Sequence, residues 1–137
     1  MNDLLIYRNK EGNIEVDAIY KDETLWLSQK AMSQVFDVGV PAISKHLKNI
    51  FNDHELEEKV VISKMENTTK HGAIENKAQK SEITLYNLDA IIAVGYRVNS
   101  KKVTDFRIRA TSIIRKEKEK WYMSIVLILK KEIMKLF

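Results

Sequence analysis

Residues 26–50, WLSQKAMSQVFDVGVPAISKHLKNI, limit the fold more than any other stretch, because two short amphipathic segments stand there with only a tight break between them. Ser28 is a good N-cap: its hydroxyl can accept from a free first-turn amide of a helix over 29–36. Met32, Val35 and Phe36 then fall on one face at i, i+3, i+4 spacing. DVG follows, and Gly39 is expected to take the left-handed backbone that a sharp turn demands. Pro41 suits the first turn of a second helix over 41–51, where its missing N–H costs nothing.

At about 100° per residue, Ile43, Leu47 and Ile50 form one apolar stripe of the second helix. Pro41, Ser44, Lys45, Lys48 and Asn49 point the opposite way, with Ala42 and His46 at the boundary. A helix about 10 Å across, braced by a partner helix across a short turn, fits the major groove of B-DNA. Lysines release counterions from phosphate, and short side chains read base edges or the thymine methyl. Pro41, Ala42, Ser44 and Lys45 would meet bases, and Lys48 and Asn49 would reach phosphate. Ser28, Gln29, Lys30 and His46 complete the candidate DNA-binding set, and no acidic residue stands between Val38 and Asn52. The bland alternative is a helix pair in any small α+β domain, its polar face merely wet.

The flanking segments supply strands. Residues 4–8 and 14–20 enclose NKEG, and Ile14, Val16 and Ala18 alternate with Glu15 and Asp17, the period of a half-buried β-hairpin. ETLWLS extends it. KVVISKMENTT and ITLYNL read as a second hairpin with a polar tip holding Lys70, His71, Gly72 and Lys77, a wing that would touch DNA backbone. Glu66, Glu75 and Glu82 dilute its charge, and an ordinary surface loop is the other reading. Asn87 caps a helix LDAIIAVGYRV, with Asp89 in its first turn; NSKK breaks it, and a last helix starts near Val103. The expected architecture is a winged helix-turn-helix-like α+β domain over 1–100, with a basic helical extension over 101–137.

Charge is uneven. Residues 1–96 carry 11 Lys/Arg against 15 Asp/Glu, net −4, while residues 97–137 carry 12 against 4, net +8. Arg97, Lys101, Lys102, Arg107 and Arg109 join Lys70 and Lys77 as candidate phosphate contacts; a solvated helix with snorkelling Arg stems explains the same pattern.

Composition and motifs exclude several classes. The chain is 45% hydrophobic and 31% charged, that of an ordered protein. With no Cys it has no disulfide or thiolate metal site, which suits a reducing compartment. The start MNDLLIYRNKEG is unlike a secretory signal, and WYMSIVLIL, nine residues, falls short of the about 20 a spanning helix needs. A cytoplasmic protein is expected. His46, His54 and His71 have no metal spacing, and HELEE lacks the second His of HExxH. The glycines form no phosphate loop, no nucleophile elbow surrounds a Ser, and Glu57 and Glu58 sit in a solvated run. The expectation is therefore a non-enzyme without metal or cofactor.

ETLWLSQKAMSQVFDVGVPAISKHLKNIF and ITLYNLDAIIAVGYRVNSKKVTDFRIRAT together resemble the RhuM family of bacterial virulence-associated proteins, over roughly residues 2–112. YNLDAIIAVGYRVNS carries the resemblance most specifically. It implies a DNA-binding protein of mobile or pathogenicity-island regions, and no catalytic residue. Val103 stands where the family usually has Gly, and Arg109 where it has an aromatic. After Thr111 the resemblance fades, so RKEKEKWYMSIVLILKKEIMKLF is expected to be a departure, either a variant helix or a shifted-frame end. Its WYMSIVLIL, if exposed, would suit a homodimer contact. The leading expectation is a regulator of virulence or mobile-element genes that binds double-stranded DNA. The alternative is a protein-interaction module of a toxin, antitoxin or effector system, which the acidic first 96 residues favour.

Overall fold

In the computed structural model, which describes residues 3–70 and 78–137, the chain is an α+β protein built on one antiparallel sheet. Strands β1 (Asp3–Arg8), β2 (Glu15–Lys21) and β3 (Thr24–Leu27) precede helices α1 (Gln29–Phe36) and α2 (Val40–Asn52). A single turn, α3 (Glu58–Val61), leads into the hairpin β4 (Ile62–Lys70) and β5 (Ala78–Asn87), and α4 (Leu88–Val98) and α5 (Ser100–Met134) follow. The sheet order is β1-β2-β3-β5-β4. The chain thus leaves the sheet after β3, makes the helix pair, and returns so that Leu27 of β3 pairs with Tyr86 of β5.

Local chemistry explains these elements. Tyr7 pairs with Val16 and Leu5 with Ala18, so the alternating apolar residues of the first hairpin share one face. Gly12 takes φ 76° in the turn between β1 and β2, a conformation that glycine adopts without steric cost. Asp22 and Glu23, both at positive φ, make the two-residue turn into β3. Trp26 donates from Nε1 to the Lys21 carbonyl at 2.9 Å, and the Lys21 ammonium lies over its ring. Lys21 also bonds Ser63 of β4, tying the two hairpins together.

The core lies between the sheet and the helices. Phe106 of α5 meets Tyr7 of β1 at 4.9 Å between ring centroids and Phe36 of α1 edge-on at 6.1 Å. Gly95 of α4 lets three elements converge: a Cβ there would lie 2.7 Å from Val103 Cβ and 2.8 Å from Phe36 Cζ.

The last helix differs from the expectation. It starts at Ser100 rather than near Val103, and the break after α4 is one residue, Asn99, not the run NSKK. The Asn99 amide donates to the Gly95 carbonyl at 2.8 Å, while its side chain accepts from Lys102 N–H at 3.2 Å. One residue thereby closes α4 and opens α5. Although α5 begins where the basic extension was expected to, Val103, Phe106 and Ala110 belong to the common core.

Gly95→Ala should lower stability by about 1–3 kcal/mol, because overpacking at three converging elements outweighs the gain in helix propensity; urea unfolding checks it. Burial, reinforced by the charge of Asp105, pushes the Tyr7 hydroxyl up to about 12. In the unfolded chain it ionises near 10. The folded state therefore favours the neutral phenol. That stability is intact below about pH 10 and is lost as pH climbs towards 12, up to about 2 kcal/mol. Urea midpoints of wild type and Tyr7→Phe between pH 8 and 11.5 should show the steeper alkaline fall only in wild type.

Candidate nucleic-acid interface

The helix pair is positioned from both ends. Ser28 caps α1, its Oγ accepting from Ala31 N–H at 3.1 Å, as expected. Ala31, Met32, Val35 and Phe36 are buried beneath it. Three residues then turn the chain into α2, and their backbone corrects the expectation for Gly39. Asp37 takes the left-handed conformation (φ 55°, ψ 51°), whereas Gly39 is extended (φ −73°, ψ 154°) and serves as the N-cap of α2. Asp tolerates this region better than most residues, which is why the turn does not need its glycine there.

On α2 the wheel holds for the apolar stripe and for Pro41, Lys45 and Lys48, while Ser44 and Asn49, expected outward, lie at the boundary. Ile43, Leu47 and Ile50 are 0%, 2% and 0% exposed. Pro41, Lys45 and Lys48 are exposed, and Ala42, Ser44, His46 and Asn49 are half-buried. The helix begins one residue earlier than expected, which adds exposed Val40 to its leading edge; the N-cap at Gly39 was the signal for it. Among the described residues no carboxylate pairs with Lys45 or Lys48. The His46 Nδ1 is enclosed and, among the described residues, has no hydrogen-bond partner, which fits a packing role at the edge of the face.

The remaining candidates fall into separate groups. Lys30 is exposed on α1, while Gln29 donates to the Tyr86 hydroxyl at 3.0 Å and is tied to β5. Arg97 donates to Glu55 at 2.8 Å and lies 3.9 Å from Asp53, so α4 is clamped to the segment after α2. Arg109 pairs with Asp105 at 3.4 Å one turn back along α5. Lys101 and Arg107 are exposed and Lys102 half-buried on the same helix. In the second hairpin, Lys64 pairs with Glu82 across the strands at 3.4 Å, and Lys70 ends β4 opposite Ala78. Lys77, with His71, Gly72 and Glu75, lies outside the described residues.

α2 packs against α1 and α4, whereas α5 packs against α4, α1 and β3. The chemistry available at the α2 face is that of a small, unpaired cationic surface with short side chains between its lysines. Among the described residues no cluster of His, Cys, Asp and Glu has the grouping of a metal site, and no helix is long and apolar enough to cross a membrane.

The molecule is thus an α+β protein whose short turn-linked helix pair is inserted between strands of an antiparallel sheet. Residues 60–135, more than half of the chain, match the family described as the virulence protein RhuM family, and the chain belongs to that family. No curated protein matches it, and no solved structure does. The match runs through the segment after Thr111, so that segment is family sequence up to residue 135 and not the departure expected from a resemblance that fades there. It does not include α1 and α2.

The turn between α1 and α2 can be tested directly. Asp37→Val should cost about 1–2 kcal/mol, because a β-branched residue resists the left-handed region. Gly39→Ala should change stability by less than about 0.5 kcal/mol, since its added Cβ meets only Pro41 Cδ at 3.5 Å. Thermal or urea unfolding of the two variants gives the comparison.

Proposed function

We propose that this protein binds double-stranded DNA through the outward face of α2, as a winged helix-turn-helix regulator of virulence or mobile-element genes. The observation that carries it is the state of that face. Lys45 and Lys48 are exposed without carboxylate partners among the described residues, on a helix seated rigidly by Ile43, Leu47 and Ile50. Arg97 and Arg109 are held by acidic neighbours, whereas Lys45 and Lys48 stand together on one face of a single helix.

The order of elements supports the same reading. A strand, two turn-linked helices and a hairpin follow one another, and the hairpin's second strand pairs with the first strand, giving β3-β5-β4. In a winged helix the second helix enters the major groove and the hairpin flanks it. Pro41, Ala42, Ser44 and Lys45 lie in the first half of α2, which would approach base edges; Lys48 and Asn49 would meet phosphate. On α5, Lys101, Lys102 and Arg107 would add phosphate contacts outside the groove.

One observation favours a second reading, a protein-interaction module. Leu4 and Ile6 stand 68% and 58% exposed on edge strand β1, opposite Ile19 and Asp17 of β2. A peptide could pair with that edge.

Lys45→Ala with Lys48→Ala separates the two. On a mixed-sequence duplex the double variant should bind about tenfold more weakly at moderate salt, and its slope of log affinity against log salt should fall by about 2. Fluorescence anisotropy across a salt series measures both, with circular dichroism as the check on folding. Unchanged affinity and slope in a folded double variant would rule out the α2 face.

A further inference from the structure

The last part of α5 is a helix without a body beside it. Glu117 is the final buried residue, and Lys118 reaches Glu23 in the β2–β3 turn at 3.8 Å. Beyond it the helix continues to Met134, and Trp121, Tyr122, Met123, Val126, Leu127, Ile128, Leu129 and Ile133 are all more than half exposed. No charged residue stands between Trp121 and Leu129. Contiguous apolar surface of this extent is uncommon on a soluble monomer and marks a contact site.

The spacing of the apolar residues specifies the partner. Tyr122, Val126, Leu129, Ile133 and Leu136 follow one another at intervals of 4, 3, 4 and 3 residues. That is the seam of a coiled coil, with Val126 and Ile133 at a positions and Tyr122 and Leu129 at d positions; Leu136, next in the register, lies just past the end of α5. β-branched residues at a with Leu at d favour two parallel strands. The outermost positions of the same register are Ser124 and Lys131, which suits solvent. Each seam side chain leaves on the order of 100 Å² in water, so the four helical seam residues of two copies, with the flanking Met123 and Ile125 positions, would bury roughly 1,000 Å², the lower bound of a specific interface. A membrane surface fits less well: between Trp121 and Leu129 the helix has no charged face to turn towards headgroups.

We infer that residues 122–134 of α5 form a parallel two-stranded coiled coil with the same segment of a second copy of this chain. The interface goes beyond the DNA-binding reading and does not rest on it. Leu127 and Ile128 stay outside the seam, beside Ser124. The parallel arrangement sets both bodies at the same end of the coil.

Sedimentation equilibrium on the full chain tests this. Wild type should be a dimer at micromolar concentration. Leu129→Lys with Ile133→Lys should weaken dimerisation at least a hundredfold while circular dichroism and unfolding of the body stay unchanged, since neither residue joins the core. The chain has no Cys, so single-cysteine variants report the geometry. Tyr122→Cys and Leu136→Cys should each cross-link to itself under mild oxidation, far faster than Lys101→Cys. A monomeric wild type, an assembly larger than a dimer, or cross-linking between Tyr122→Cys and Leu136→Cys in a mixture but of neither alone would overturn the parallel pair. So would binding of wild type to anionic vesicles as a monomer.

Discussion

Everything in this molecule is keyed to the close approach of α4 to α5 and α1 at Gly95. With no side chain there, Val103 and the ring of Phe36 come within a distance that a methyl group would forbid. Three residues after the start of α5 the chain is already committed to that contact at Val103, and one turn later Phe106 enters the gap between Tyr7 and Phe36. Sheet, helix pair and terminal helices therefore share one aromatic junction. Interiors packed at this density transmit any displacement to their neighbours. α2 rests on α1 and α4, both of which meet at Gly95, so the outward face of α2 is aimed by contacts that it does not itself make.

Charge is arranged with the same economy. The net +8 of residues 97–137 is not presented uniformly. Arg97 is drawn towards Glu55 and Asp53, and Arg109 towards Asp105. Such half-exposed pairs contribute little to stability, typically below about 1 kcal/mol, but they fix where guanidinium groups point. α2 has the opposite character. It carries fewer cations than α5 and holds them away from acids, on a helix whose buried side leaves no freedom to rotate.

Much of the fold was legible because its signals are local. The first hairpin showed in the alternation around Val16, and α1 in Ser28 and the Met32–Phe36 stripe. α4 showed in the Asn87 cap, which accepts from Ala90 N–H at 3.2 Å. The α2 face was legible for the same reason: Ile43, Leu47 and Ile50 bury one side whatever the rest of the chain does. The turn before it was misread. Gly39 carries the composition of a left-handed residue, yet Asp37 takes that role, because the chain must reverse directly after Phe36 and the N-cap of α2 needs extended backbone. The segment after Thr111 was misjudged because the resemblance visible in the sequence fades there, although Ile113 and Ile114 still pack on the core and the family match runs to residue 135.

The amino-acid sequence by itself determined α1, α2 and α4, most strand positions and which side of α2 is polar, since capping and periodicity act over a few residues; the helical turn α3 was read as strand. Only the tertiary structure decided that β3 pairs with β5, that Arg97 belongs to Glu55 across 42 residues of chain, and that Gly95 is the point of closest packing. Those outcomes depend on which distant surfaces meet once the core has closed. Side-chain periodicity carries no record of that choice.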